Sequence, residues 1–261
     1  MFSNIKKIYE TRYFWFFLAV KDIKFKYRRS KLGGLWMMIQ PLALTLILSF
    51  VFSTIFNQPM GDYALYVLSG LVVWDLIMSA FNAGGQSLIS AEAYIRQFNH
   101  PKAIYSLRSA IVYTYTFLIE LLGLVLWLLF IKPENILFGL ATLPVTVILV
   151  FIFAWEVTTI AAYTNTKYYD YPQLIGLALQ AVYFVSPIFL QTEVFINKAG
   201  LKFLYIYNPI THFLNLVREP FLYKKMPTLF DYGFVITVLL IIGLIAYLLN
   251  KKNEKTVIFY L

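Results

Sequence analysis

Six basic side chains crowd into eleven residues: Lys21, Lys24, Lys26, Arg28, Arg29 and Lys31. The run ends at Leu32-Gly33-Gly34. Cations at this density bind phosphate groups through charge-assisted hydrogen bonds, and arginine does so in bidentate fashion. The glycines supply a permissive turn beside the charges. A plainer reading of the same run is an orientation signal that also touches anionic lipids.

A second set of candidates is acidic. Asp75, Glu120 and Glu156 each fall inside an apolar block. A carboxylate at the centre of a bilayer costs on the order of 3 kcal/mol on insertion scales, so a partner or a role is expected for each. They face a wet cavity, or they are protonated, or they pair across helices. Glu156 also lies close enough to a block end to snorkel.

Other chemistries are excluded by composition. There is no cysteine, which removes disulfides, thiolate metal sites and cysteine nucleophiles. The two histidines, His100 and His212, stand in no metal-ligand spacing. No glycine is followed by lysine, so the chain holds no phosphate-binding loop of the G-x-x-x-x-G-K-[ST] kind for ATP. No cofactor is expected on the chain itself. The net charge of +9 does not imply nucleic acid, because the cations cluster at the ends of apolar blocks.

The elements that must carry these residues follow from hydropathy. The chain is 60% hydrophobic and only 13% charged, against about half and a quarter for soluble domains. The excess comes in blocks of about 20 residues, enough to cross about 30 Å of hydrocarbon. Six spans are expected, at about 35–57, 64–88, 104–131, 136–163, 172–190 and 230–249. Residues 1–34 read as a basic amphipathic interfacial helix with aromatics between its cations, Tyr9, Tyr13, Trp15, Phe25 and Tyr27 among them. The apolar run Tyr13 to Val20 is too short to span and is followed by no cleavage site. Pro209, Pro220 and Pro227 break residues 191–229 into re-entrant or interfacial pieces, tolerated where protein or a water-filled cavity surrounds them. Gly70, Gly84 and Gly85 mark the second span for a bend or a close approach.

With both termini in the cytoplasm, sixteen basic residues fall inside and six outside. The six are Lys132, Lys198, Lys202, Arg218, Lys224 and Lys225, and five of them lie in one long loop. This split favours both ends inside.

The run from Lys21 through Ser30-Lys31-Leu32-Gly33-Gly34-Leu35-Trp36 is the most specific signal. It resembles the start of the membrane subunits of ABC exporters for O-antigen, teichoic acid and capsule, the ABC-2 type. The likeness continues in order through Gln40-Pro41-Leu42, Phe50-Val51-Phe52, Tyr66 to Leu71, Ser186-Pro187-Ile188-Phe189 and Tyr207-Asn208-Pro209. Departures occur at Trp74-Asp75, at Phe98-Asn99-His100-Pro101 and at Tyr169-Asp170.

The resemblance implies an all-α membrane protein of the bacterial inner (plasma) membrane, divided into residues 1–34 and a six-span domain at 35–261. Two copies would form a homodimeric channel for an undecaprenyl-pyrophosphate-linked polysaccharide, with ATP and Mg on two copies of a separate ATPase subunit. Within that picture Arg28, Arg29, Lys31, Leu32 and Gly33 would meet the pyrophosphate headgroup. Ser90 to Lys102 would be the coupling helix, with Glu92, Tyr94, Arg96, Phe98 and His100 docking into the ATPase. Aromatics make up 19% of the chain, and most belong at interfaces. The candidates for lining the channel are Tyr66, Trp74, Phe81, Tyr113 and Tyr183, with Asp75 and Glu120. Competing readings are an ABC-2 exporter of another cargo (teichoic acid, capsule, lipid or drug), a membrane-embedded transferase, and a proton-coupled flippase.

Overall fold

The computed structural model describes residues 2–26, 28–197 and 199–261, so the readings at Tyr27 and Lys198 lie outside the described residues. Among the described residues the ordered elements are all helical. They are α1 (Phe2–Glu10), α2 (Arg12–Lys26), α3 (Trp36–Ile55), α4 (Met60–Phe81), α5 (Glu92–Gln97), α6 (Ala103–Ile131), α7 (Ile136–Lys167), α8 (Tyr171–Val185), α9 (Thr192–Ile196), α10 (Ala199–Tyr207), α11 (Pro209–Tyr223) and α12 (Leu229–Asn253). Five of these, α3, α4, α6, α7 and α12, are long and apolar enough to cross a membrane. The chain is a multi-pass membrane protein.

The hub is α4. Every residue from Tyr63 to Trp74 is buried, on all sides of the helix. A helix apolar all round belongs in the middle of a bundle. Around it, α3 and α12 each bury one stripe, while α6 and α7 are also buried on several sides at one end. On α3 the stripe is Met37, Pro41, Thr45, Ser49 and Ser53, one residue per turn and mostly small. The opposite face shows Ile47, Phe50, Val51 and Ile55. Small residues let helix backbones come close where lipid supplies no hydrophobic drive for association. On α7 the stripe includes Gly139, Thr142, Thr146 and Val150.

The expected second span, 64–88, begins earlier and ends earlier. A break follows Phe81, and Gly84 and Gly85 sit in a short 3-10 turn instead of the helix. A Cβ on Gly84 would lie 2.8 Å from the Thr158 hydroxyl of α7, so the glycines serve close approach to that helix. The turn between α6 and α7 is tight, as Lys132 to Asn135 implies. Asn135 also donates to the carbonyls of Phe221 (3.1 Å) and Leu222 (2.9 Å), holding the end of α11.

The expected fifth span, 172–190, is helical only to Val185. Fifteen residues rise about 22 Å, short of a full crossing. The remainder is irregular backbone. Tyr171 at the start of α8 donates to the carbonyl of Phe81, at the end of α4 (2.9 Å). Phe189 accepts from the hydroxyl of Tyr63, near the start of α4 (2.7 Å). Residues 171–190 therefore run antiparallel to α4 over the 19 residues from Phe81 to Tyr63, about 27 Å of helix.

Residues 191–229 form three short helices. Asn208 caps α11 by accepting from the amide of Ile210 (3.0 Å), and Pro209 fills the first helical position, where no amide is needed. A capping box between Thr228 and Asp231 starts α12. His212 lies inside this region with both ring nitrogens facing acceptors, Asp231 Oδ1 at 2.7 Å and the Ile206 carbonyl at 2.9 Å.

Candidate functional site

The basic loop is built locally. Trp36 Nε1 donates to the Ser30 hydroxyl (3.1 Å), closing the turn between two residues of the sequence motif. Gly33 adopts φ +55°, the left-handed region that suits glycine. Leu35 donates to the carbonyl of Leu32 (3.1 Å) and leads into α3. On this turn Arg28, Arg29, Lys31 and Leu32 are exposed. Among the described residues none of the three cations has an ion-pair partner, so all remain available to an anion. Phe25, Lys26, Arg28 and Arg29 line a cleft of about 550 Å³.

The helix leading to this loop is fixed to its neighbours. Arg108, early in α6, holds Asp22 of α2 in a two-pronged ion pair, through Nε to Oδ2 and through Nη2 to Oδ1 (2.8 Å). Lys21 donates to the Tyr94 hydroxyl of α5 (3.4 Å). The Phe14 ring of α2 meets Tyr94, Phe98 and His100 at 5.9, 5.9 and 5.0 Å between centroids. Thus α2 bridges α5 and α6. On α5 the Glu92 carboxylate accepts from Arg96 (2.8 Å), a helix-surface pair at i, i+4 spacing. Arg96 and Phe98 are exposed.

The acidic candidates divide. Asp75 of α4 is half-buried, and its charge and that of Lys26 bear on Glu120. Glu120 is buried, with Oε2 lacking a hydrogen-bond donor among the described residues. Glu156 packs under Gly243 of α12 and does not join the pair.

None of the five aromatic candidates is an exposed ring. Tyr66 and Trp74 are buried within the chain's own packing. The Tyr66 hydroxyl donates to the carbonyl of Leu190 (2.9 Å). Tyr113 is half-buried on α6. Phe81 faces Phe153, away from the others, at 6.5 Å. Tyr183 joins a column of rings instead. From Trp74 to Tyr183 is 5.3 Å, on to Phe189 5.6 Å, to Phe52 5.4 Å, to Phe56 6.1 Å and to Tyr63 5.8 Å. These spacings suit offset and tilted aromatic pairs. The column runs along the seam of α3, α4 and the 171–190 segment. Phe52, Phe56, Tyr63 and Phe189 are the members that were not among the sequence candidates. Phe52 and Phe189 stand in motifs that carry the resemblance, but nothing in those motifs marks the two as ring neighbours.

Arg218 is the other omission. Counted with the outside loop charges, it is buried on α11. Its guanidinium donates to the carbonyls of Pro187, Ile188 (2.7 Å) and Tyr66 (3.1 Å) and to the Ser69 hydroxyl (3.2 Å). Irregular backbone at membrane depth survives only where its polar groups are satisfied. Arg218 does this for the bend after α8.

Between α8 and α12 lies an apolar cleft of about 490 Å³. Its walls include Ile77, Phe81, Phe153, Leu179, Phe213 and Ile242.

No family model matches the chain. Three relatives cover nearly all of it. The O-antigen export system permease protein RfbA of Klebsiella pneumoniae is 23% identical over 97% of this chain and 98% of its own length. A protein of the same name from Myxococcus xanthus is 19% identical over 87% of each chain. The polysialic acid transport protein KpsM of Escherichia coli is 25% identical over 92% of this chain and 91% of its own.

Proposed function

We propose that this chain, homologous almost from end to end with polysaccharide-export permeases, is the membrane-spanning subunit of an ATP-driven exporter of lipid-linked polysaccharide. The observation that carries the reading is the extent of that similarity, which takes in the basic loop, all five long apolar helices and the segment after α8. It favours a transport subunit over a membrane-embedded transferase.

The cargo would be an undecaprenyl-pyrophosphate-linked glycan, O-antigen-like. Its headgroup would be met by Arg28, Arg29 and Lys31 on the turn formed by Leu32 and Gly33. The unpaired, exposed state of these cations supports that role. The glycan would then pass the partly exposed rings of Tyr183, Phe52 and Phe56, whose faces offer no fixed register. The similarity to a polysialic acid transporter favours capsule as the second reading.

Work would come from two copies of a cytoplasmic ATPase docking on α5, at Glu92, Tyr94, Arg96, Phe98 and His100. The ties from α5 to α2 supply a rigid path from that surface to the headgroup loop. Two copies of this subunit would form the channel in the bacterial inner membrane, both termini cytoplasmic. Six crossings result when α8 and the irregular residues 186–190 are taken together as one.

The test is deletion of the gene, followed by complementation with wild type and with Arg28→Ala/Arg29→Ala. The expected outcome is lipid-linked glycan trapped inside deleted cells, wild-type rescue, and poor rescue by the double variant at equal protein level. Normal surface polysaccharide in the deleted strain would overturn the reading.

A further inference from the structure

The cleft behind α8 has no partner within the chain. Of the fifteen residues of α8 only Leu179 is buried. Leu174, Leu177, Phe184 and Val185 are exposed. Across the gap, α12 shows Leu240, Ile241, Leu244 and Ile245. The lips of the cleft are thus continuous with surfaces that face hydrocarbon.

Its interior offers nothing to a polar guest. Asn208, at the inner end, uses both ends of its amide: Nδ2 donates to the Ser186 hydroxyl (2.8 Å) and Oδ1 accepts from the Ile210 amide (3.0 Å). The other walls are almost wholly aliphatic or aromatic. A sugar, a peptide or ordered water would leave its polar groups unpaired there.

We propose that the cleft holds one acyl chain of a bilayer phospholipid, and that this chain packs α8 where protein does not. The size fits. At about 30 Å³ for a water-sized group, the cleft takes on the order of sixteen such groups. That matches a single fatty-acyl tail, whereas a polyprenyl tail of several dozen carbons would leave most of its length outside. This site is separate from the headgroup loop and needs only that the chain sits in a bilayer, so it stands or falls apart from the transport reading.

The experiment uses the full chain in nanodiscs of phosphatidylethanolamine and phosphatidylglycerol, doped with a phospholipid carrying a diazirine near the end of one acyl chain. Photolysis is followed by peptide mapping. Adducts are expected on 175–185 and on 203–213, including Phe203 and Leu204. Ala178→Trp, which fills the cleft from its α8 wall, should abolish the adducts at 203–213 while those on the outer face of α12 persist. Adducts confined to outward faces would overturn the proposal. So would their survival in Ala178→Trp, or a chain-to-chain cross-link from a benzophenone amino acid at position 178, which would put a second copy in the cleft.

Discussion

The guanidinium of Arg218 lies over the ring of Tyr66, 3.7 Å from its centroid, and donates to the carbonyl of the same residue. The one side chain thus holds α11 to α4 by a cation–π contact and a hydrogen bond, while its other donors serve the backbone at Pro187 and Ile188. The non-helical stretch after α8 depends on this arginine.

Replacing Arg218 leaves the carbonyl of Ile188 without its donor and that of Pro187 with only the Tyr66 hydroxyl, at 3.2 Å. Each buried, unsatisfied group costs about 1–3 kcal/mol. Arg218→Met is expected to destabilise by about 3 kcal/mol or more and to lower the yield of monodisperse protein in detergent. Arg218→Lys should recover only part of this, because an ammonium cannot reproduce the planar fork. Fluorescence-detected size exclusion after heating reads the order. A lysine variant equal to wild type would refute the assignment.

Gly70 guards the same contact from α4. A Cβ there would stand 2.7 Å from Arg218 Nη2 and closer still to the Ile188 carbonyl oxygen. Backbone cannot swing aside as a flexible side chain can, so Gly70→Ala is expected to destabilise by about 1–3 kcal/mol. Gly176→Ala on α8, where a Cβ meets nothing within 4 Å, is the control and should be neutral or slightly stabilising. Equal melting temperatures for the two variants would show that the close packing at Gly70 is not under constraint.

Much of this bundle is legible in the chain. Five apolar blocks become five long helices, because length and hydropathy alone decide which segments suit hydrocarbon. The turn at Gly33 and the turn at Lys132 to Asn135 follow from residue types. What is not legible is which charges turn inward. Arg218 looks like any loop cation until the broken α8 presents carbonyls to it. His212 and Asp231 stand nineteen residues apart and meet only because α11 and the start of α12 pack together. Aromatic candidates chosen singly, such as Tyr66, proved to be packing residues. The column of rings depends on the register between α3, α4 and the 171–190 segment, which hydropathy does not encode.

Lys102 gives a pH dependence. It precedes α6 on the polar side, buried in a cleft with His100, Pro101 and Glu254. Burial pulls its ammonium below the ordinary lysine range, and Glu254 opposes this. The unfolded chain keeps that proton up to about pH 10.4. Between the lowered folded value and the unfolded one, the unfolded state binds more protons, so stability rises with pH across that window. Lys102→Gln removes this contribution. The variant is expected to lose the alkaline gain in melting temperature relative to wild type. Parallel pH profiles for the two proteins would contradict it.

The ion pair of Asp22 with Arg108 ties the helix of the basic loop to α6, and it is open to a cycle of substitutions. Its side chains are 33% and 13% exposed, so solvent weakens it, but two parallel hydrogen bonds hold the geometry. A coupling of about 1 kcal/mol is expected between Asp22→Asn and Arg108→Gln, each change alone having nearly the effect of both together. If α2 transmits motion from α5 to the headgroup loop, both single changes should also lower surface polysaccharide at equal protein level. Arg108→Lys should rescue poorly, since it keeps the charge and loses the fork. Exchanging the partners, Asp22→Arg with Arg108→Asp, should restore part of the export that either exchange alone removes. Strictly additive losses in stability and export would mean that the pair is incidental and that α2 is positioned by its other contacts, such as buried Leu18, Phe14 and Lys21.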